Sequence, residues 1–182
     1  MARRTRDDWT AVALRALAEG GVAAVAVEPL AARLGATKGS AYWHFPNREA
    51  LLKATLERWE REHTEAVIEL VESVAEPAAR LRLLFGTVLE RTRHSAVELA
   101  MLAAKDDPAV APVLRRVTDR RLGYLEALFG ELGFPADVAR RRAVLAYSAY
   151  LGQAQLLSAA PDVLGERPAL LEETLAAVVS RA

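Results

Sequence analysis

The stretch Gly35-Ala36-Thr37-Lys38-Gly39-Ser40-Ala41-Tyr42-Trp43-His44-Phe45 concentrates groups suited to a polyanion: an ammonium, the hydroxyls of Thr37, Ser40 and Tyr42, and an imidazole. Gly35 can adopt the positive φ at which a preceding helix stops. The Thr37 side chain can accept from a backbone N–H two or three residues on, capping a new helix. The turn between the two helices is then about three residues long, as a helix-turn-helix needs. Lys38, Ser40, Tyr42 and His44 fall within about two turns of a short helix, whose first residues meet base edges while its flanks meet phosphates. Lys38 can donate to guanine O6 and N7, Ser40 can pair with several bases, and Gly39 lets the backbone come close. Thr37, Tyr42, His44 and the backbone N–H groups at the helix start suit phosphates, which fix register without reading sequence. The pattern reads as a DNA-recognition helix.

Neighbouring elements must hold that helix in place. Asp7 or Asp8 can cap a first helix in which Trp9, Val12, Ala13, Ala16 and Leu17 recur at helical spacing, and Gly20-Gly21 ends it. Val25 and Val27 lead into a second short helix, with Pro29 in its first turn and Leu30, Ala31 and Leu34 on its apolar face. Trp9, Leu17, Leu30, Leu34 and Phe45 are expected to form a small core that clamps the recognition helix. Pro46-Asn47 then breaks the chain. Leu51, Leu52, Leu56, Trp59, His63, Val67, Leu70, Val71 and Val74 mark the inward face of a long helix running to Glu76-Pro77, roughly 45 Å of it. Such a helix, starting beside the recognition helix, could act as a lever between two domains.

Residues Glu28 to Leu52, EPLAARLGATKGSAYWHFPNREALL, resemble the helix-turn-helix of the TetR family of bacterial transcriptional repressors, with Tyr42, His44, Phe45 and a basic residue at Arg48 in the family's order. The resemblance implies an all-helical homodimer with an N-terminal DNA-binding domain and a variable C-terminal ligand-binding and dimerisation domain. It carries over Thr37, Lys38, Gly39, Ser40, Tyr42, Trp43 and His44 as DNA-facing positions and Arg48 as a phosphate contact. Two positions depart from it: Ala26 stands where the family often has a hydroxyl residue, and Glu28 where its namesake has an arginine. The operator sequence is therefore not carried over, and beyond about residue 60 only the helical layout is similar.

The whole composition narrows the remaining choices. With 182 residues, 52% of them hydrophobic, the chain has ample material for a core. It has no cysteine, which excludes disulfides, thiol catalysis and cysteine-based metal sites. Nothing at the N-terminus reads as a signal peptide and no apolar run is long enough to span a membrane, so a soluble, cytoplasmic protein is expected. The formal net charge is zero, yet residues 1–60 carry nine basic and seven acidic groups, against 15 and 17 in the rest. That asymmetry is small and agrees with local contact to DNA.

Further helices are expected from Pro77 to about Thr92, from a capping box at Ser95-Ala96-Val97-Glu98, from Asp107-Pro108 to near Gly133, from Pro135 to Leu157, and from Pro168 onward. No strand alternation is seen, so the fold is all-α, divided as a helix-turn-helix domain over residues 1–46 and a C-terminal helical domain over 47–182. In the penultimate helix Ala139, Ala143, Ala146, Tyr150, Gln153 and Ala154 form a stripe of small and polar residues. The last helix has a wide face of Leu170, Leu171, Thr174, Leu175, Val178 and Val179. Two such helices from each of two subunits would make a four-helix dimer interface. Candidates for a small, mainly hydrophobic effector are Trp59, His63, Phe85, Leu89, Met101, Tyr124 and Tyr147. Glu60-Arg61-Glu62-His63 is a lone Glu-x-x-His without the second copy a di-iron bundle needs, and His44, His63 and His94 show no metal-ligand spacing. Neither catalysis nor a cofactor is expected. The expected function is that of a ligand-responsive repressor binding a palindromic operator as a dimer; the alternative is a constitutive or architectural DNA-binding dimer without an effector.

Overall fold

Helices account for most of the residues described by the computed structural model, 4–91, 96–164 and 167–180, and there is no strand among them. The elements are α1 (Arg6–Gly20), α2 (Val27–Leu34), α3 (Lys38–His44), α4 (Arg48–Glu60), α5 (Ala66–Glu72), α6 (Pro77–Arg91), α7 (Ala96–Ala103), α8 (Ala111–Glu131), α9 (Ala136–Ala159) and α10 (Arg167–Val179). Two compact units result: one from Met1–His63 and Ala96–Arg115, the other from Thr64–Ser95 and Arg116–Ala182.

In the first unit, α1 packs against α2, α4 and α7, and α3 packs against α2. The cap of α1 is Thr5 rather than Asp7 or Asp8: its hydroxyl accepts from the Asp8 N–H at 3.1 Å, and the Asp8 carboxylate accepts in return from the Thr5 N–H at 2.8 Å. Trp9, Leu17 and Leu30 are fully buried and Phe45 nearly so, whereas Leu34 is only half-buried. Each such burial stabilises by about 1.5–3 kcal/mol. That outweighs anything α3 could supply by itself, since a seven-residue helix is not stable in water.

The expected long helix is interrupted. Between α4 and α5 the residues Arg61–Glu65 form a π turn, whose extra residue advances the inward face by one position. Buried positions run Leu52, Leu56 and Trp59, then step by five to Thr64, and continue at Val67, Ile68 and Val71. Simple helical periodicity places His63 and Leu70 inward; after the step Thr64 takes the buried position, His63 is half-buried and Leu70 lies exposed.

The second unit closes on Leu81 and Phe85 of α6, Leu125, Leu128 and Phe129 of α8, Ala139, Ala143, Ala146 and Tyr147 of α9, and Leu175 and Val178 of α10. The alanine stripe of α9 is consumed here, letting neighbouring helices of the same chain approach closely. One polar pair is buried with it: the Gln153 amide donates to the Thr174 hydroxyl at 3.0 Å, and that hydroxyl donates to the Leu170 carbonyl. The large hydrophobic side chains that α9 and α10 leave exposed include Val144, Leu145, Leu156 and Val179. Asp107 caps a turn by accepting from the Ala109 N–H at 2.8 Å, and α8 itself starts at Ala111. Pro135 precedes α9 and Pro168 falls in the first turn of α10. Ser95 and His94, invoked above for a capping box and for metal spacing, lie outside the described residues.

Candidate nucleic-acid interface

The short helix α3 is built by three local devices. Gly35 ends α2 in the left-handed region at φ 58°, where a Cβ would be strained. Thr37 caps α3, its hydroxyl accepting from the Ser40 N–H at 3.3 Å. Ala41 and Phe45, four residues apart and both buried, pin the helix to the core. That register fixes everything else. Thr37, Lys38, Gly39, Tyr42 and Trp43 are exposed, and Ser40 and His44 are half-buried. Trp43 keeps 73% of its surface and Tyr42 46%, in a chain whose other tryptophans, Trp9 and Trp59, are fully buried. The indole of Trp43, the phenol of Tyr42, Lys38 and Gly39 therefore lie exposed on the same short helix.

Three of the expected DNA contacts carry internal bonds. The His44 Nε2 donates to the Arg4 carbonyl at 2.8 Å, which fixes the tautomer because a carbonyl only accepts. Arg4 Nε in turn donates to the Leu34 carbonyl at 2.9 Å, and the Arg6 guanidinium sits 5.3 Å from the Phe45 ring centre. The N-terminal segment is thereby tied to the ends of both α2 and α3. Arg48 donates from Nε to the Val25 carbonyl at 2.8 Å and from Nη2 to the Val22 carbonyl at 2.7 Å, holding the 3-10 turn Val22–Ala24. Lys38 makes an ion pair with Glu28 on α2. The hydrogen bond from Lys38, followed by its charge, holds the Glu28 carboxyl below its ordinary range; the same bond holds the Lys38 ammonium above its own.

Arg4 is a group at this surface that the sequence does not announce, and Glu28 enters the sequence reading only as a departure from the family's pattern. Arg4 lies 40 residues from its His44 partner, and no local spacing links them. The opposite charges of Glu28 and Lys38, ten residues apart across a tight turn, are the one available hint.

The seven candidate effector residues are divided between the two units. Trp59, His63 and Met101 belong to the first unit, and Phe85, Leu89, Tyr124 and Tyr147 to the second. Phe85 and Tyr147 share the core of the second unit, with Tyr124 packed against it. Arg121, half-buried, donates to the Thr64 hydroxyl at 3.0 Å and lies 6.0 Å from both the Tyr147 and Tyr150 ring centres. A cleft of about 610 Å³ near the start of α9 and the end of α10 is lined by Phe134, Arg142, Leu145 and Ala177, and by none of the seven. Among the described residues no three His, Asp or Glu side chains are grouped to hold a metal, and no helix is long and apolar enough to cross a membrane.

Comparison with known proteins adds independent findings. Residues 10–55 match the family model described as bacterial regulatory proteins, tetR family. No curated protein matches the chain. Among solved structures, a transcriptional regulator from Rhodococcus sp. Rha1 is 22% identical, with 96% of this chain and 94% of that chain covered and a TM-score of 0.77. A TetR transcriptional regulator from Legionella pneumophila is 18% identical over 97% and 96% of the two chains, with a TM-score of 0.79. A TetR-family regulator from Agrobacterium tumefaciens is 16% identical over 96% and 97%, also at 0.79. At those identities the structures establish a shared fold. Residues 10–55 are thus similar to the N-terminal segment of the tetR family of bacterial regulatory proteins, and the chain as a whole shares its fold with solved TetR-family regulators.

Proposed function

We propose that the protein is a cytoplasmic, homodimeric repressor that binds a near-palindromic operator and is released by a small, mainly hydrophobic effector. Residues 1–46 act as the DNA-binding head and 47–182 as the effector-binding and dimerising body. The observation that carries the reading is the outward face of α3, where Tyr42 and Trp43 stay exposed beside Thr37, Lys38 and Gly39 while Ala41 and Phe45 anchor the helix. Two copies of α3 enter successive major grooves about 34 to 36 Å apart. Tyr42 and Thr37 meet phosphates, and Lys38 and Ser40 meet base edges. Val144, Leu145 and Leu156 on α9 and Val179 on α10, apolar yet exposed, support a partner chain against the last two helices. The aromatic and apolar groups Trp59, Phe85, Leu89, Met101, Tyr124 and Tyr147, with His63, suit an apolar effector. Release requires the effector to bind the DNA-incompetent conformation more tightly, since equal affinity for both shifts nothing.

The test is fluorescence anisotropy on duplexes tiling the DNA upstream of the gene, at several salt concentrations. Selective binding to one near-palindromic tile is expected, with a log–log salt slope of about −0.9 per phosphate neutralised. Tyr42→Ala should weaken it at least tenfold with an unchanged melting temperature. Equal binding to every tile would instead indicate an architectural protein. Hydrophobic compounds that raise the melting temperature should also lower operator affinity; a set that moves neither would remove the effector from the reading.

A further inference from the structure

What His44 can offer a phosphate depends on which of its ring nitrogens carries a proton. Its Nε2–H is donated to the Arg4 carbonyl at 2.8 Å, and that carbonyl is tied down from several sides. Arg4 is fixed through its own Nε on the Leu34 carbonyl at 2.9 Å, Thr5 beside it is locked in the capping box with Asp8, and the Arg6 guanidinium lies 5.3 Å from the Phe45 ring centre. Three successive residues thus hold the acceptor against the end of α3. Nδ1 is the nitrogen left over. Among the described residues it has no partner, and it is open to solvent.

In a neutral imidazole one nitrogen donates and the other only accepts. With the hydrogen on Nε2, Nδ1 presents a lone pair, and a phosphate oxygen brought to it is an acceptor as well. The two repel. A proton on Nδ1 turns the ring into a cation that donates from both nitrogens, so the bond to Arg4 is kept and a charge-assisted bond to the phosphate is added. The charged groups on the surrounding elements are engaged elsewhere: Arg4 on the Leu34 carbonyl, Arg6 of α1 on the Phe45 ring, Arg33 of α2 on Glu19, Lys38 of α3 on Glu28, and Arg48 of α4 on the Val22 and Val25 carbonyls. Among the described residues no Asp or Glu carboxylate is paired with the His44 ring. An Nδ1–H therefore has no acceptor on the protein, and the phosphate supplies one.

We propose that operator binding is proton-coupled through His44, each subunit meeting its phosphate with the imidazole protonated on Nδ1 and the Nε2–H bond to Arg4 retained. This rests on α3 being the DNA-recognition helix, with His44 among its phosphate contacts. The proton comes from solvent on binding and returns to it on release. Because the complex binds more protons than its separated parts, affinity is highest at low pH and is lost as pH rises through the range in which the bound imidazole gives up its proton.

The experiment uses the full-length protein, its His44→Gln variant and a duplex that the parent selects from a randomised library. Calorimetry near neutral pH in buffers of different ionisation enthalpy reads the protons exchanged, and anisotropy from about pH 6 to 8.5 at constant ionic strength reads affinity. For the parent, the heat should depend on the buffer, with an uptake of about one proton per dimer where imidazole titrates. Its affinity should fall by about tenfold per subunit across the range, the size of one charge-assisted hydrogen bond. A glutamine amide donates at every pH, so His44→Gln should hold its affinity to within about twofold over the same range and lose the uptake, with an unchanged melting temperature. Independently of the variant, the ring nitrogen NMR shifts of His44 should pass from the neutral Nε2–H form to the doubly protonated form on adding the duplex. Parent heats that ignore the buffer, a ring that stays neutral in the complex, or the same pH profile in His44→Gln overturns the proton coupling and leaves the recognition helix intact. A parent protein that selects no duplex overturns the recognition helix and the coupling together.

Discussion

A guanidinium near DNA has two uses, and Arg48 shows how geometry separates them. By resemblance it is a phosphate contact; in the structure its Nε and Nη2 close onto the Val25 and Val22 carbonyls. Those carbonyls end a 3-10 turn that the core does not cover, since Val22–Ala24 includes no buried residue. Arg48→Ala is expected to destabilise the DNA-free protein by about 1–2 kcal/mol, seen as a melting temperature lower by several degrees. An unchanged melt with a shallower salt slope would assign the side chain to phosphate alone. His44 carries the same lesson, because its Nε2–H is already donated to Arg4 and only Nδ1 remains for another partner.

Among the elements, α1 and the run through α4 and α5 depart most from simple patterning. The capping box joins Thr5 to Asp8, and the bonds from the Thr5 backbone and side chain hold the Asp8 carboxyl below its ordinary value of 3.8. A carboxyl with a depressed folded pKa stabilises the fold above its unfolded pKa and loses that contribution as pH falls through the folded one. Asp8→Ala should therefore lower the melting temperature by a constant amount from pH 7 to about 5. Below about pH 4 the difference should shrink. A difference independent of pH down to 2 would show that the carboxylate's charge is not what matters at the cap. The π turn at Arg61–Glu65 acts at the same scale: one extra residue turns the helix face by about 100°, exchanging His63 for Thr64 on the buried side.

For the molecule as a whole, the central question is what covers α9 and α10. Their small and polar stripe, Ala139, Ala143, Ala146, Gln153 and Ala154, is buried within the chain itself. A partner would instead meet Val144, Leu145 and Leu156, with Leu145 keeping 51% of its surface. Sedimentation of the parent protein should give twice the chain mass. Leu145→Glu should give the monomer mass and lose operator affinity, because a buried unpaired carboxylate is costly and two joined heads bind far better than one. A dimer unaffected by Leu145→Glu would move the interface to another face.

The cap of α3, the stop at Gly35 and the burial of Phe45, Trp9, Leu17 and Leu30 were legible from the sequence. Each depends on residues a few positions apart, whose geometry the helical backbone fixes in advance. The exposure of Tyr42 and Trp43 follows from the same register. Tertiary structure alone decided the partners of His44, Arg48 and Lys38, which lie 40, 23 and ten residues away in sequence. It also decided that the alanine stripe of α9 turns inward, and that the helix after Trp59 changes face. Those outcomes depend on which surfaces meet once the chain has folded, and a single inserted residue or a competing carbonyl is enough to redirect them.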